Sequence, residues 1–80
     1  MDIDELVGER VHQAMWRRRT QQIDLAPVVG IDQSTLSRKI RGKRPWSVAE
    51  VYRVAAALGV DPADLLPPEA EVNAAQSRAA

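Results

Sequence analysis

The chain has 80 residues and a mass of 8.8 kDa, which leaves room for one small domain. Its 11 Lys and Arg balance its 11 Asp and Glu, and it contains neither Cys nor Phe, so a disulfide framework, a thiolate metal centre and a thiol nucleophile are all excluded. The lone His12 cannot build a zinc site unaided, and no stretch approaches the ~20 apolar residues of a membrane span.

Met1-Asp2-Ile3-Asp4-Glu5 is acidic where a secretion signal needs a basic start and an apolar run. The expectation is a soluble cytoplasmic protein with a small aliphatic core and no metal or cofactor. Residues from about 4 to 18 form the first predicted helix, with Ile3, Val7, Val11, Ala14 and Arg18 on one face and Leu6 and Met15 on its flanks. Asp2 and Asp4 suit its N-terminus, and Arg17, Arg18 and Arg19 answer the dipole at its C-terminus. Trp16 points to the opposite side from Val7, while His12 reads as a surface residue.

Thr20 or Gln21 opens a short second helix through Ile23, Leu25 and Ala26 towards Val29, and Gly30 ends it. Asp32 then caps a third helix over residues 33–41, whose apolar pair is Leu36 and Ile40 and whose stop is Gly42. Lys43-Arg44-Pro45-Trp46 is a loop, with Trp46 expected in a small satellite core. Ser47 and Glu50 form a capping box for a fourth helix, Val48 to Leu58, with Val48, Val51, Ala55 and Leu58 facing inward. Asp61-Pro62 starts a fifth helix leading into Leu65 and Leu66. No segment alternates with period two over a useful length, so the fold class is all-α. The domain is expected to span residues 1–66, followed by a flexible acidic, Ala-rich tail over residues 67–80.

The zero net charge counts at first against a nucleic-acid partner, since nucleic-acid-binding domains tend to be basic. Placement changes that reading. Residues 1–9 carry −4, residues 10–44 carry nine bases against two acids, or +7, and residues 45–80 carry −3. A basic middle lies between acidic ends, and the middle is what a polyanion would meet. A solvated, solubilising surface would give the same pattern.

The informative unit is the helix pair around Gly30. A helix-turn-helix needs a small residue where the helices cross, a glycine at positive φ in the turn and apolar anchors behind the second helix, and Ala26, Gly30, Ile31 and Leu36 supply these in order. Gln33, Ser34, Ser37 and Arg38 lie on the polar side of that second helix, away from Leu36 and Ile40.

The run Gln22-Ile23-Asp24-Leu25-Ala26, three residues, then Gly30-Ile31-Asp32-Gln33-Ser34-Thr35-Leu36-Ser37-Arg38, resembles the lambda-repressor/Cro-like (XRE-type) family of DNA-binding domains. Arg41-Gly42-Lys43-Arg44, Ala56-Ala57-Leu58-Gly59-Val60-Asp61-Pro62 and Leu65-Leu66 extend the likeness over roughly residues 6–66. The resemblance implies a compact five-helix domain that binds double-stranded DNA as a homodimer on a palindromic operator and regulates transcription, with no catalytic activity and no small-molecule substrate. Carried over position by position, it implies base contacts from Gln33, Ser34, Ser37 and Arg38 and phosphate contacts from Gln22, Thr35, Arg41, Lys43 and Arg44. Lys39 departs from the family's commoner order and is expected to reach the phosphate backbone as well.

Pro27 is a second departure, expected to bend or shorten the second helix. Trp16, Pro62 and Leu65 are the candidates for dimer contact. With a tail of 14 residues, a short phage or bacterial repressor fits best. An antitoxin whose acidic tail binds a toxin, and a helical protein-interaction module that does not read DNA, are the alternatives. An enzyme is disfavoured, because Ser34 and Ser37 lack a nearby His and the paired acids sit at helix starts, where capping accounts for them.

Overall fold

The computed structural model describes residues 2–68, and these form five helices and no strand: α1 Ile3–Arg17, α2 Gln22–Val29, α3 Gln33–Ile40, α4 Val48–Leu58 and α5 Pro62–Leu65. The boundaries follow the predicted ones to within a residue. From residue 69 onward, the tail expected to be flexible lies outside the described residues. No helix among those described is long and apolar enough to cross a membrane.

Helix α1 starts on a reciprocal cap. The Asp2 carboxylate accepts from the Glu5 N–H at 2.8 Å, and the Glu5 carboxylate accepts from the Asp2 N–H. Its buried strip is Leu6, Val7, Gly8, Val11, Ala14 and Met15; Ile3 and Arg18, expected on that face, are exposed at the two ends. The last turn closes with the Thr20 N–H donating to the Met15 carbonyl at 2.9 Å and the Arg19 N–H donating to that of Trp16 at 3.2 Å. This closure puts Arg19 at φ 53°, the left-handed conformation that glycine adopts without strain.

Helix α2 runs through Pro27 to Val29 without ending early. The ring removes the donor that the Ile23 carbonyl would have taken. Ile23 and Pro27 are a turn apart on the exposed face, where water replaces that bond, so the helix persists. Gly30, at φ 89°, turns the chain while its own N–H and that of Ile31 donate to the Ala26 carbonyl. Ala26 is buried at the crossing with α3, as a close helix pair requires.

Helix α4 carries the same Ser47–Glu50 reciprocal cap that the sequence indicates. Its inward face needs one correction: Val48 is 74% exposed, and Val54, at 0%, is buried with Val51, Ala55 and Leu58. Position 48 is the first residue of the helix, where the chain arrives from the Pro45–Trp46 loop, and the turn that meets the core begins at Val51. Val11, Leu25, Val29, Leu36, Val54 and Leu65 are the largest fully buried side chains, so every helix contributes to one core.

The tightest joint is between α1 and α3. A Cβ added at Gly8 would collide with the Ile40 carbonyl and lie 2.8 Å from that of Lys39. Only a residue without a side chain lets the two backbones meet there. Gly8→Ala is therefore expected to destabilise the fold by about 1–3 kcal/mol, although helix propensity alone would favour Ala by about 1 kcal/mol; chemical denaturation reads the sign directly. Arg19→Gly should have the opposite effect, raising stability by about 0.5–1 kcal/mol through relief of the left-handed strain, measurable as a higher thermal midpoint.

Candidate nucleic-acid interface

Asp32 defines the start of α3. Its carboxylate accepts from the Thr35 N–H at 2.7 Å, and the Thr35 hydroxyl and N–H together hold that carboxyl below its ordinary range. Thr35 is thus half-buried and turned to the cap. Leu36, at 0% exposure, anchors the helix from behind, with Ile40 partly buried against the same core.

On the outward side, Gln33, Ser34, Arg38 and Arg41 are exposed, and Ser37 is half-buried between them. The spacings 33 to 37, 34 to 38 and 37 to 41 are all one helical turn, which gathers these residues on one face. The Arg41 guanidinium folds back along α3, its Nε donating to the Ser37 carbonyl at 3.3 Å. Lys43 and Arg44 stand exposed in the loop that follows. Gln22 is half-buried at the first position of α2, a helix whose N-cap residue Gln21 makes no side-chain capping bond.

Lys39 is placed differently from the expectation. It is only 8% exposed, and its ammonium donates to the Pro45 carbonyl at 2.7 Å and to the Glu50 carboxylate at 3.0 Å. It points inward because it follows Leu36 by three residues and precedes Ile40, which sets it on the buried flank of α3. Burial alone would raise the Glu50 carboxyl, but hydrogen bonding from the Ser47 N–H and from Lys39 outweighs it and holds the group below 4.5.

Trp46 completes this joint. Its indole Nε1–H donates to the Lys39 carbonyl and its backbone N–H to the Asp4 carboxylate, both at 3.0 Å, and its ring packs partly buried on the core. The C-terminal end of α3 is thereby tied to α1, to the loop and to α4. Sequence reasoning missed the Lys39–Glu50 pair; the signal was a cation on the apolar side of α3, with an acid in the cap of α4.

The dimer candidates separate in the same way. Trp16 is 78% exposed and Pro62 half-buried, but Leu65 lies at 0% inside the protein's own core, where it is unavailable to a second copy. Its neighbour Leu66 faces out at 47%. His12 is exposed, as expected. Among the described residues, no group of three or more His, Cys, Asp or Glu could hold a metal ion.

This arrangement, two short helices meeting at a glycine turn inside a five-helix domain with the second helix presenting a polar face, is that of a helix-turn-helix protein. The BetR domain model matches residues 2–78, and the chain belongs to that family. Among solved structures, it is similar to the restriction-modification controller protein C.AhdI from Aeromonas hydrophila, with 27% identity, 79% of this chain and 96% of that chain covered, and a TM-score of 0.73. It is also similar to the clp gene regulator ClgR from Corynebacterium glutamicum, at 25% identity over 95% of this chain and 76% of that one, with a TM-score of 0.75. A hypothetical transcription factor, NHTF, from Neisseria gives 26% identity, 88% and 80% coverage and a TM-score of 0.75. No curated protein matches the chain by sequence.

The joint makes two testable demands. Lys39→Met leaves the Glu50 carboxylate, 12% exposed, without its counter-ion, at an expected cost of about 3 kcal/mol near neutral pH in urea denaturation. Because the folded state lowers the Glu50 pKa, that group stabilises the protein above 4.5 and the contribution disappears as pH falls through its folded value. Stability measured from pH 7 down to 3 should therefore fall less steeply in Glu50→Gln than in the native chain.

Proposed function

We propose that this protein is a sequence-specific, double-stranded DNA-binding transcriptional regulator. The observation that carries the reading is the division of labour within α3: Leu36, Lys39 and Ile40 hold the helix, while Gln33, Ser34 and Arg38 face solvent on one side. The titles of the similar structures, a controller protein, a gene regulator and a transcription factor, support it.

In this reading α3 enters the major groove N-terminus first. Gln33 has the donor–acceptor pair that suits adenine, and Arg38 the paired donors that suit guanine. Ser34 and Ser37 add shorter-range contacts. Lys43 and Arg44 take phosphates on one side, with Arg41 and Thr35 nearer the helix; Gln22 and the N-terminus of α2 take one on the other. Lys39 leaves this set because its charge is spent within the fold.

The protein acts as a homodimer on a palindromic operator, with half-sites about 34–36 Å apart, in the cytoplasm of a bacterium or of a phage-infected cell. Trp16, Pro62 and Leu66 supply the candidate dimer surface, Leu66 replacing Leu65. The short, neutral chain suits a small repressor whose affinity depends on local contacts more than on long-range attraction.

Selection of bound sites from random DNA should return a symmetric consensus. Against that consensus, Arg38→Ala is expected to lose about 1–3 kcal/mol and to relax preference at one position per half-site, whereas Lys43→Ala should weaken all sequences alike and lower the salt slope by about one. Recovery of no consensus, with binding that does not respond to salt, would favour a protein-interaction module instead.

A further inference from the structure

A cleft of about 490 Å³ lies between α1 and the end of the described chain, away from the outward face of α3. Arg10, Arg17 and Arg18 line it from α1, and Asp64, Leu66 and Pro68 from the α5 side. Three guanidinium groups thus meet one carboxylate. Arg18 is also fixed at the floor, where its guanidinium donates to the Gly59 carbonyl at 3.3 Å, and the Arg17 Nε donates to the Gln13 carbonyl at 3.4 Å. These bonds hold the two side chains close to the helix surface.

The chain itself leads into this cleft. Pro68, the last described residue, is part of its wall, and the next residues are Glu69-Ala70-Glu71-Val72. From this geometry we infer that the acidic segment 69–72 is the occupant of the cleft, with the Glu69 and Glu71 carboxylates paired to the α1 arginines. Charge supports that assignment: two more carboxylates bring the lining of three cations and one anion to neutrality. Reach supports it too. Arg10 and Arg17 are about 10 Å apart along α1 at a rise of ~1.5 Å per residue, and four extended residues span about 13 Å.

The consequence reaches beyond packing. The segment covers cations that would otherwise present a second positive surface, distinct from α3 and its loop. A polyanion would then meet one basic face on the domain rather than two, so the acidic end acts as an internal mimic of phosphate on α1.

The absence of native cysteine allows a clean test on the full chain. A nitroxide is attached at position 74 after Ala74→Cys, and amide signals are read by NMR. The expected result is loss of intensity along residues 10–18, with residues 33–38 unaffected, abolished by Glu69→Gln/Glu71→Gln and by salt near 1 M, where the screening length is about 3 Å. Weak, uniform loss over the whole surface would overturn the inference, as would loss that persists in the double variant. Loss appearing between labelled and unlabelled molecules in a mixed sample would also overturn it, giving the cleft to a second copy, and loss centred on α3 would give the acidic segment to the opposite face. The variants lie outside the core helices, so unchanged core amide shifts separate docking from folding.

Discussion

The backbone-to-backbone contact of Gly8 with Ile40 is the constraint from which the rest of the molecule is built. With no side chain between them, α1 and α3 sit close enough for the loop after α3 to close over both. The Trp46 indole then reaches the Lys39 carbonyl, its backbone reaches Asp4, and Lys39 reaches Glu50 in the cap of α4. Each of these bonds needs the spacing that the glycine sets. A larger residue at position 8 would disturb more than local packing, because the opposing atoms belong to a main chain that cannot rotate out of the way.

The molecule uses its charges in two distinct ways. Lys39 and Glu50 are almost wholly inside and satisfy one another, while the Arg53 guanidinium bridges α4 to the carbonyl at the end of α2. These groups hold helices in place. Arg38, Lys43 and Arg44 are solvent-facing and contribute little to holding the fold, since exposed charges interact weakly through water. A net charge of zero therefore describes the sum of structural pairs, helix caps and exposed groups, and says little about the field at any one face.

Much of the fold was legible because its signals are local. Caps at Asp32 and Ser47 and the glycine turn at Gly30 depend on a few neighbouring residues, and the helix limits follow from them. Three points were not legible for the opposite reason. Whether Lys39 points outward or inward depends on an acid eleven residues away and on where the loop carbonyl of Pro45 falls. Whether Val48 or Val54 completes the inner face of α4 depends on the angle at which the chain enters that helix. Leu65 and Leu66 are adjacent, apolar and equally plausible as surface or core until α1 is packed against α5. The outward set on α3 was readable as a face; the ion pair within the fold removed one member from it.

The anchoring of α3 is confined to one side and one end. Leu36 and Ile40 face the core, Lys39 is gripped at the C-terminal end, and the cap at Asp32 needs only a backbone N–H from the turn it starts. Positions 33, 34 and 38 contribute nothing that the scaffold needs. Descendants of this sequence could therefore exchange those three residues freely and drift toward new targets while folding as before, a separation that makes such a small domain easy to duplicate and repurpose.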